Sequence, residues 1–205
     1  TAGVTSLTAG RDVNLTTVTE TYQQANHWNA DNWRTESSRT ERGSSLQAQG
    51  DLGLRAGNDL NARAASISSV AGTVIAQAAR DVNLTAGQNQ RNADEAHKVE
   101  GGNGFLSKKV TTTRDSFSET KANGAYLGAQ QLSVDAGRNV QIQGSEVVAE
   151  KGLAQVRAGN DLAIIASVDS TQVHHEKHSN SRSLGGFKAS KIDDKVNENR
   201  TTAVG

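Results

Sequence analysis

The hexapeptide Arg11-Asp12-Val13-Asn14-Leu15-Thr16 recurs intact as Arg80-Asp81-Val82-Asn83-Leu84-Thr85, 69 residues further along the chain. A looser form, Ala-Gly, then Asn or Arg, then Asp or Asn, then Leu or Val, stands at Ala56 to Leu60, Ala136 to Val140 and Ala158 to Leu162. Gly57 and Ala79 lie 22 residues apart, and so do Gly137 and Gly159. Residues 52–86 slide onto 132–166 without a gap at an offset of 80. In that alignment Leu52, Ala56, Gly57, Gly72, Ala78, Asp81 and Ala86 meet identical residues, while Leu60, Ile67, Val82 and Leu84 meet Val140, Val147, Leu162 and Ile164. Identity and apolar character are preserved together, which marks a structural repeat.

Inside each 22-residue unit the pattern is that of strands. Val82-Asn83-Leu84, Leu132-Ser133-Val134 and Val140-Gln141-Ile142 alternate apolar and polar with period two. The short runs end at Gly followed by Asn, Asp or Arg, residues suited to tight corners and tolerant of positive φ. Apolar residues do not recur at helical spacing over any long window. Strands of three to five residues cannot bury a face alone, but coils of about 22 residues can stack and pair in parallel at about 4.8 Å. The expected fold is all-β: a right-handed parallel β-helix with long β-hairpin or loop excursions.

The composition agrees with such a narrow interior. The 205 residues include 20 Gly but no Pro, Cys or Met, and only 3% are aromatic. Mean hydropathy is −0.60. Interior strands cannot spare the N–H that Pro lacks. Without Cys there is no disulfide framework, thiolate zinc site or cysteine nucleophile. The 22 basic and 22 acidic residues cancel, which argues against a nucleic-acid-binding groove. No apolar run approaches the roughly 18 residues of a spanning helix, and no signal segment is present. The absence of an initiator Met suggests a piece of a longer protein or a processed product.

The sequence reads as one β-helix segment, 1–205, with coil pairs at about 1–17, 45–87 and 124–168 and polar excursions at about 18–44, 88–123 and 169–201. The excursion 88–123 holds 11 charged residues in 36, against 6 in 43 for 45–87. Each excursion has two Ser/Thr-rich polar stretches around a turn signal: Asn29 to Asn32, Gly101 to Gly104, and Leu184 to Gly186. That layout is a hairpin leaving the side of the helix.

The stretch Gly104-Phe105-Leu106-Ser107-Lys108-Lys109-Val110-Thr111-Thr112-Thr113-Arg114-Asp115, the run Gly137 to Ser145 and the coil Ala158 to Ser167 resemble a known family. They are similar to the second haemagglutinin-repeat region of large two-partner-secretion exoproteins of Gram-negative bacteria, a group of filamentous haemagglutinins and contact-dependent growth-inhibition proteins. The resemblance extends over essentially the whole chain. It implies a secreted, cell-surface stalk at the bacterial outer membrane, exported unfolded through an outer-membrane partner transporter. Its other partners would be a target-cell surface or outer-membrane component and the rest of the same exoprotein. In one branch the stalk helps present and deliver a C-terminal toxin to neighbouring cells; in the other it is an adhesin that binds surface receptors or glycans. The fragment does not choose between them.

Parallel β-helices also include polysaccharide lyases, which gather acidic and basic residues in a side cleft. Here Asp12, Asp59, Asp81 and Asp161 occupy equivalent repeat positions beside a corner Gly, which fits a stacked corner ladder: Gly10, Asp12, Gly57, Asp59, Asp81, Gly137, Asn139, Gly159 and Asp161. No enzyme activity, cofactor or metal is therefore expected. His174, His175 and His178, with Glu176, form the most ligand-rich cluster; in an extended chain residues 174, 176 and 178 share a side. Trp28 and Trp33, with Tyr22, form either a sugar- or partner-binding platform or a small packing cluster. Phe105 and Leu106 at a glycine turn are either a contact tip or a fold-back contact. Alternation puts Lys109 to Glu119 on one face and Val110 to Ser118 on the other, and neither is apolar enough for a membrane barrel strand.

Overall fold

The computed structural model describes residues 3–102, 107–183 and 189–204. The chain starts with β1 (Thr5–Ala9) and β2 (Val13–Leu15), leaves the stack as a hairpin of β3 (Thr17–Asn29) and β4 (Asn32–Gly43), and closes the coil with β5 (Ser45–Ala48). The next coil, β6 (Leu52–Ala56), β7 (Leu60–Arg63) and β8 (Ser66–Ser69), has no hairpin. The third has one: β9 (Thr73–Ala78), β10 (Val82–Thr85), the hairpin β11 (Gly87–Gly101) and β12 (Ser107–Asn123), then β13 (Tyr126–Ala129). The fourth, β14 (Gln131–Ala136), β15 (Val140–Gln143) and β16 (Glu146–Ala149), again has none. The last comprises β17 (Ala154–Ala158), β18 (Leu162–Ile165) and the hairpin β19 (Ser167–Ser183) and β20 (Ala189–Val204).

Like stacks on like. Three parallel sheets, β1-β6-β9-β14-β17, β2-β7-β10-β15-β18 and β5-β8-β13-β16, form the three sides of a parallel β-helix. Leu52 pairs with Val74 and Leu60 with Val82, each 22 residues on. Pairing coil to coil builds apolar columns: Val13, Leu60, Val82, Val140 and Leu162 on one side, and Leu46, Ile67, Leu127 and Val147 on another. Leu54, Leu60, Val74 and Val82 are completely buried. No aromatic side chain belongs to this core, which is built from Ala, Val, Leu and Ile. The inward alternate residues supply a burial that the chain's low mean hydropathy conceals, at about 1.5–3 kcal/mol for each fully buried Val, Leu or Ile.

At the corner between the first two sides, Asp12 Oδ1 accepts the Asp59 N–H (3.2 Å), Asp59 Oδ1 the Asp81 N–H (3.3 Å), and Asp81 Oδ1 the Asn139 N–H (3.2 Å). Each side chain thus caps a backbone donor of the next coil. Arg80 grips Asp59 through Nε (3.1 Å) and Nη2 (2.8 Å), and Arg138 grips Asp81 in the same way. The Arg138 guanidinium, helped by the Asn139 N–H, holds the Asp81 carboxyl below its ordinary pKa against the opposing effect of burial. The corner glycines answer a different need from the positive φ anticipated above. A Cβ on Gly57 would lie 2.1 Å from the Gly10 carbonyl oxygen, and one on Gly159 equally close to that of Gly137. Close backbone approach, not left-handed φ, fixes glycine there.

Left-handed backbone occurs instead at Ala64 (φ 48°) and Gly144 (φ 51°), among the described residues. These are the equivalent corners of the two coils that carry no hairpin. Each lies between the bases of hairpins above and below. A Cβ on Gly87 would sit 3.0 Å from the Ala64 Cβ, and a Cβ on Gly144 would sit 2.4 Å from the Ser167 Cβ. Gly87 and Ser167 are the first residues of β11 and β19. Each corner therefore holds one side chain, on opposite partners in the two cases.

Candidate interaction surface on the hairpin sheet

The three hairpins do not stand apart. They join edge to edge into one six-stranded antiparallel sheet of order β20-β19-β12-β11-β4-β3, here called the fin. β4 pairs with β11 from Arg39↔Gln90 to Trp33↔Ala96, and β12 with β19 from Ser107↔Ser183 to Thr120↔Ser170. The first hairpin turns at Asn29, whose Oδ1 accepts from the Asp31 N–H (3.0 Å) and Asn32 Nδ2 (2.8 Å), the expected behaviour of an Asx turn.

Matching side chains fasten the hairpin bases. Asn89 Oδ1 accepts the Glu41 N–H (3.0 Å), and Asp169 Oδ1, 80 residues on, accepts the Ala122 N–H (2.7 Å). Glu41 is buried, and its Oε2 takes Arg63 Nε (3.0 Å), Arg63 Nη2 (2.8 Å) and the Gln88 N–H (3.1 Å). One carboxylate thereby ties a hairpin-free coil to two hairpins. Nothing in the sequence distinguishes Glu41 from the surrounding Thr, Ser, Arg and Glu; the Asx pair at 89 and 169 does recur at the repeat offset.

The pairing registers assign every fin residue to one of two faces, because successive side chains in a strand point opposite ways. One face carries Tyr22, Trp28, Val99, Phe117, Val173, Ile192 and Val196. The other carries His27, Trp33, Arg114, His174, Glu176 and His178. The two tryptophans are thus on opposite faces, with different surroundings. Trp33 stacks on His27 (centroids 6.3 Å apart) and lies under the Arg114 guanidinium (5.9 Å), whose Nη2 reaches Asp94 Oδ2 at 3.2 Å. Trp28 stacks on His97 at 6.1 Å and is still 61% exposed.

The histidines are also divided. His175 faces Asp115, with a hydrogen bond between its Nδ1 and Asp115 Oδ1. On the opposite face, Glu176 lies between His178 Nε2 (3.0 Å) and His174 Nε2 (3.8 Å). Across the hairpin, His178 Nδ1 meets Asp193 Oδ1 and His174 Nδ1 meets Asn197 Oδ1, both at 2.5 Å. Asp193 first, then Glu176, raise the pKa of His178 above its ordinary value. These contacts form cross-strand hydrogen-bonded pairs. Among the described residues no three His, Cys, Asp or Glu side chains are grouped to hold a metal ion. Phe105 and Leu106 lie outside the described residues.

The sequence model of the Hemagglutinin repeat family matches residues 29–182. Among curated proteins, the chain is 38% identical over 104 residues to "tRNA nuclease CdiA" of Escherichia coli (strain STEC_O31), covering 50% of this chain and 3% of that protein. It is 29% identical over 167 residues to "tRNA nuclease CdiA-2" of Burkholderia pseudomallei (strain 1026b), covering 79% of this chain and 5% of the relative. Against "Deoxyribonuclease CdiA" of Dickeya dadantii (strain 3937) the identity is 35% over 111 residues, 54% of this chain and 3% of the relative. The matched segment is thus a few per cent of each relative's length. No solved structure matches the chain. The family match, the parallel coils and the shared segment agree: the chain belongs to the hemagglutinin-repeat family, in the form found in CdiA-type two-partner exoproteins.

Proposed function

We propose that this chain is a non-enzymatic stalk segment of a large exoprotein displayed on a Gram-negative cell surface, and that it helps present and deliver a C-terminal toxin to neighbouring cells. The observation that carries the reading is the mismatch between a shared repeat and differing activities. Two relatives are named tRNA nucleases and one a deoxyribonuclease, yet all match this same kind of segment. A segment common to proteins that cut different nucleic acids serves their common task of carriage. On this reading the export partner is an outer-membrane two-partner transporter, the target partner is a component of the recipient's surface, and no cofactor is used. Rows of identical corners, each carboxylate engaged by a backbone N–H, support a structural role for the Asp ladder.

Deleting residues 88–123 in the full exoprotein, with Gly87 joined to Gly124, tests it. Surface display should persist while killing of target cells falls; normal killing at normal display overturns the delivery role. A second reading, adhesion, is favoured by the exposed Tyr22 and Trp28 on one fin face. It predicts that the same deletion weakens cell attachment in a strain that carries no toxin.

A further inference from the structure

We propose that the cleft beside Trp28 is a binding site for a neutral glycan containing hexopyranose units, an inference that rests on the adhesion reading. Gln24, Asn26 and Trp28 of β3 and Arg34 and Glu36 of β4 line a cleft of about 330 Å³. The pairings Gln24↔Glu36 and Asn26↔Arg34 put these side chains on a single face. The volume lies at the lower end of the roughly 300–1,000 Å³ of small-ligand sites.

Three properties select the ligand. First, Trp28 is 61% exposed but held by its stack on His97, so a large π surface is presented with restricted freedom. The negative face of an indole complements the weakly positive C–H bonds on one side of a pyranose ring. Second, Gln24 and Asn26 each offer both donors and an acceptor, as sugar hydroxyls do. The Tyr22 hydroxyl donates to Gln24 Oε1, which assigns the amide orientation and directs the NH₂ end to other partners. Third, the local charges cancel. Arg34 lies 3.6 Å from Glu36 and 3.9 Å from Glu95, and Glu36 accepts from Arg91 at 2.9 Å. Two cations and two anions leave no net attraction for an acidic or basic ligand, and the ion pairs still offer oriented hydrogen-bonding groups.

The position suits capture. Trp28 lies 11 residues beyond the first residue of β3, about 36 Å out along an extended strand. Trp33 provides an internal contrast, since His27 and Arg114 already occupy its surroundings on the other face.

The test is titration of the purified chain with lactose, N,N′-diacetylchitobiose and methyl α-mannoside, followed by calorimetry and amide NMR shifts. At least one probe should bind with a Kd of about 1 mM, and Trp28→Ala should weaken it by about tenfold or more. Asn26→Ala should weaken it several-fold, and Trp33→Phe should leave it unchanged. Circular dichroism establishes that each variant is folded, and Asn26→Ala keeps the test open if Trp28→Ala is not. Absence of binding by all three probes, or equal binding by a folded Trp28→Ala or Asn26→Ala variant, overturns the proposal. If cells displaying the exoprotein still attach through the fin when no probe binds, the glycan site fails while the adhesion reading stands.

Discussion

The β-helix and the fin are both sheets, but they obtain their register in opposite ways. In the helix, Leu60 sits against Val82 and Val82 against Val140, fully buried; a slip of one residue would turn the whole column outward. In the fin, neither face is covered by the helix, and polar residues alternate with polar residues. Its strands are instead started in register by the coils from which they leave. Glu41, Asn89 and Asp169 clamp those starting points. A long, largely polar sheet can therefore be well ordered without a core of its own, provided a rigid scaffold sets its origin.

The largest test of this contrast is Leu60→Ala against Phe117→Ala. The first should destabilise the chain by about 2–5 kcal/mol and release helix and fin together, because the fin depends on the coils. The second should cost under about 1 kcal/mol in a denaturant titration. Independent melting of an intact fin in Leu60→Ala would break the comparison.

The junctions give an intermediate effect. Gly87→Ser crowds Ala64 and should cost about 1–3 kcal/mol. Adding Ala64→Gly, which imitates the Gly144–Ser167 arrangement and also relieves a left-handed alanine, should recover at least half of the lost thermal stability. No recovery in the double variant would show that the two corners are not equivalent.

The smallest effects should have opposite pH signs. Asp81 has a depressed carboxyl pKa, so its contribution is present above the unfolded value near 4 and fades as pH falls through the folded value. Acid should therefore weaken the helix, and Asp81→Asn should flatten that dependence in acid melts. His178 has a raised pKa, so its contribution is complete below the unfolded value near 6.5 and is lost as pH rises through the folded value. Amides of β19 and β20 should exchange faster with deuterium as pH climbs through that window, beyond the intrinsic rate increase, and His178→Asn should abolish the excess.

The helix was legible because its signal is apolar and periodic: the offsets of 22 and 80 match the observed Cα pairings of Leu52 with Val74 and, over two steps, Leu52 with Leu132. The hairpins could be seen from their turns and polar strands. Their fusion into one sheet could not, because the β4–β11 and β12–β19 contacts join polar residues far apart in sequence with no hydrophobic pattern to mark them. Residue type also misled at the corners. The Gly-Asn and Gly-Arg corners pointed to left-handed φ, whereas crowding between successive carbonyls is what requires Gly57 and Gly159, and an alanine takes one of the two left-handed positions. For the candidate surface, aromatic identity drew attention to Trp28 and Trp33 alike; only the strand register, with a bulge between His27 and Asn29, separates the open ring from the enclosed one.

The alternation of coils with and without hairpins limits how such a chain can grow. A coil advances the stack by one strand spacing, about 4.8 Å, while a hairpin fills two spacings in the fin. One hairpin on every second coil makes the two advance together. Duplicating a single coil would open a one-strand gap in the fin, and duplicating a hairpin-bearing coil alone would force two hairpins into the space of one and a half. The smallest insertion that preserves both is a coil pair with its hairpin, the 80-residue step by which Leu52 maps onto Leu132. Recombination in this lineage should therefore lengthen or shorten the stalk in whole steps of that size, and in-frame events of 22 residues should be selected against.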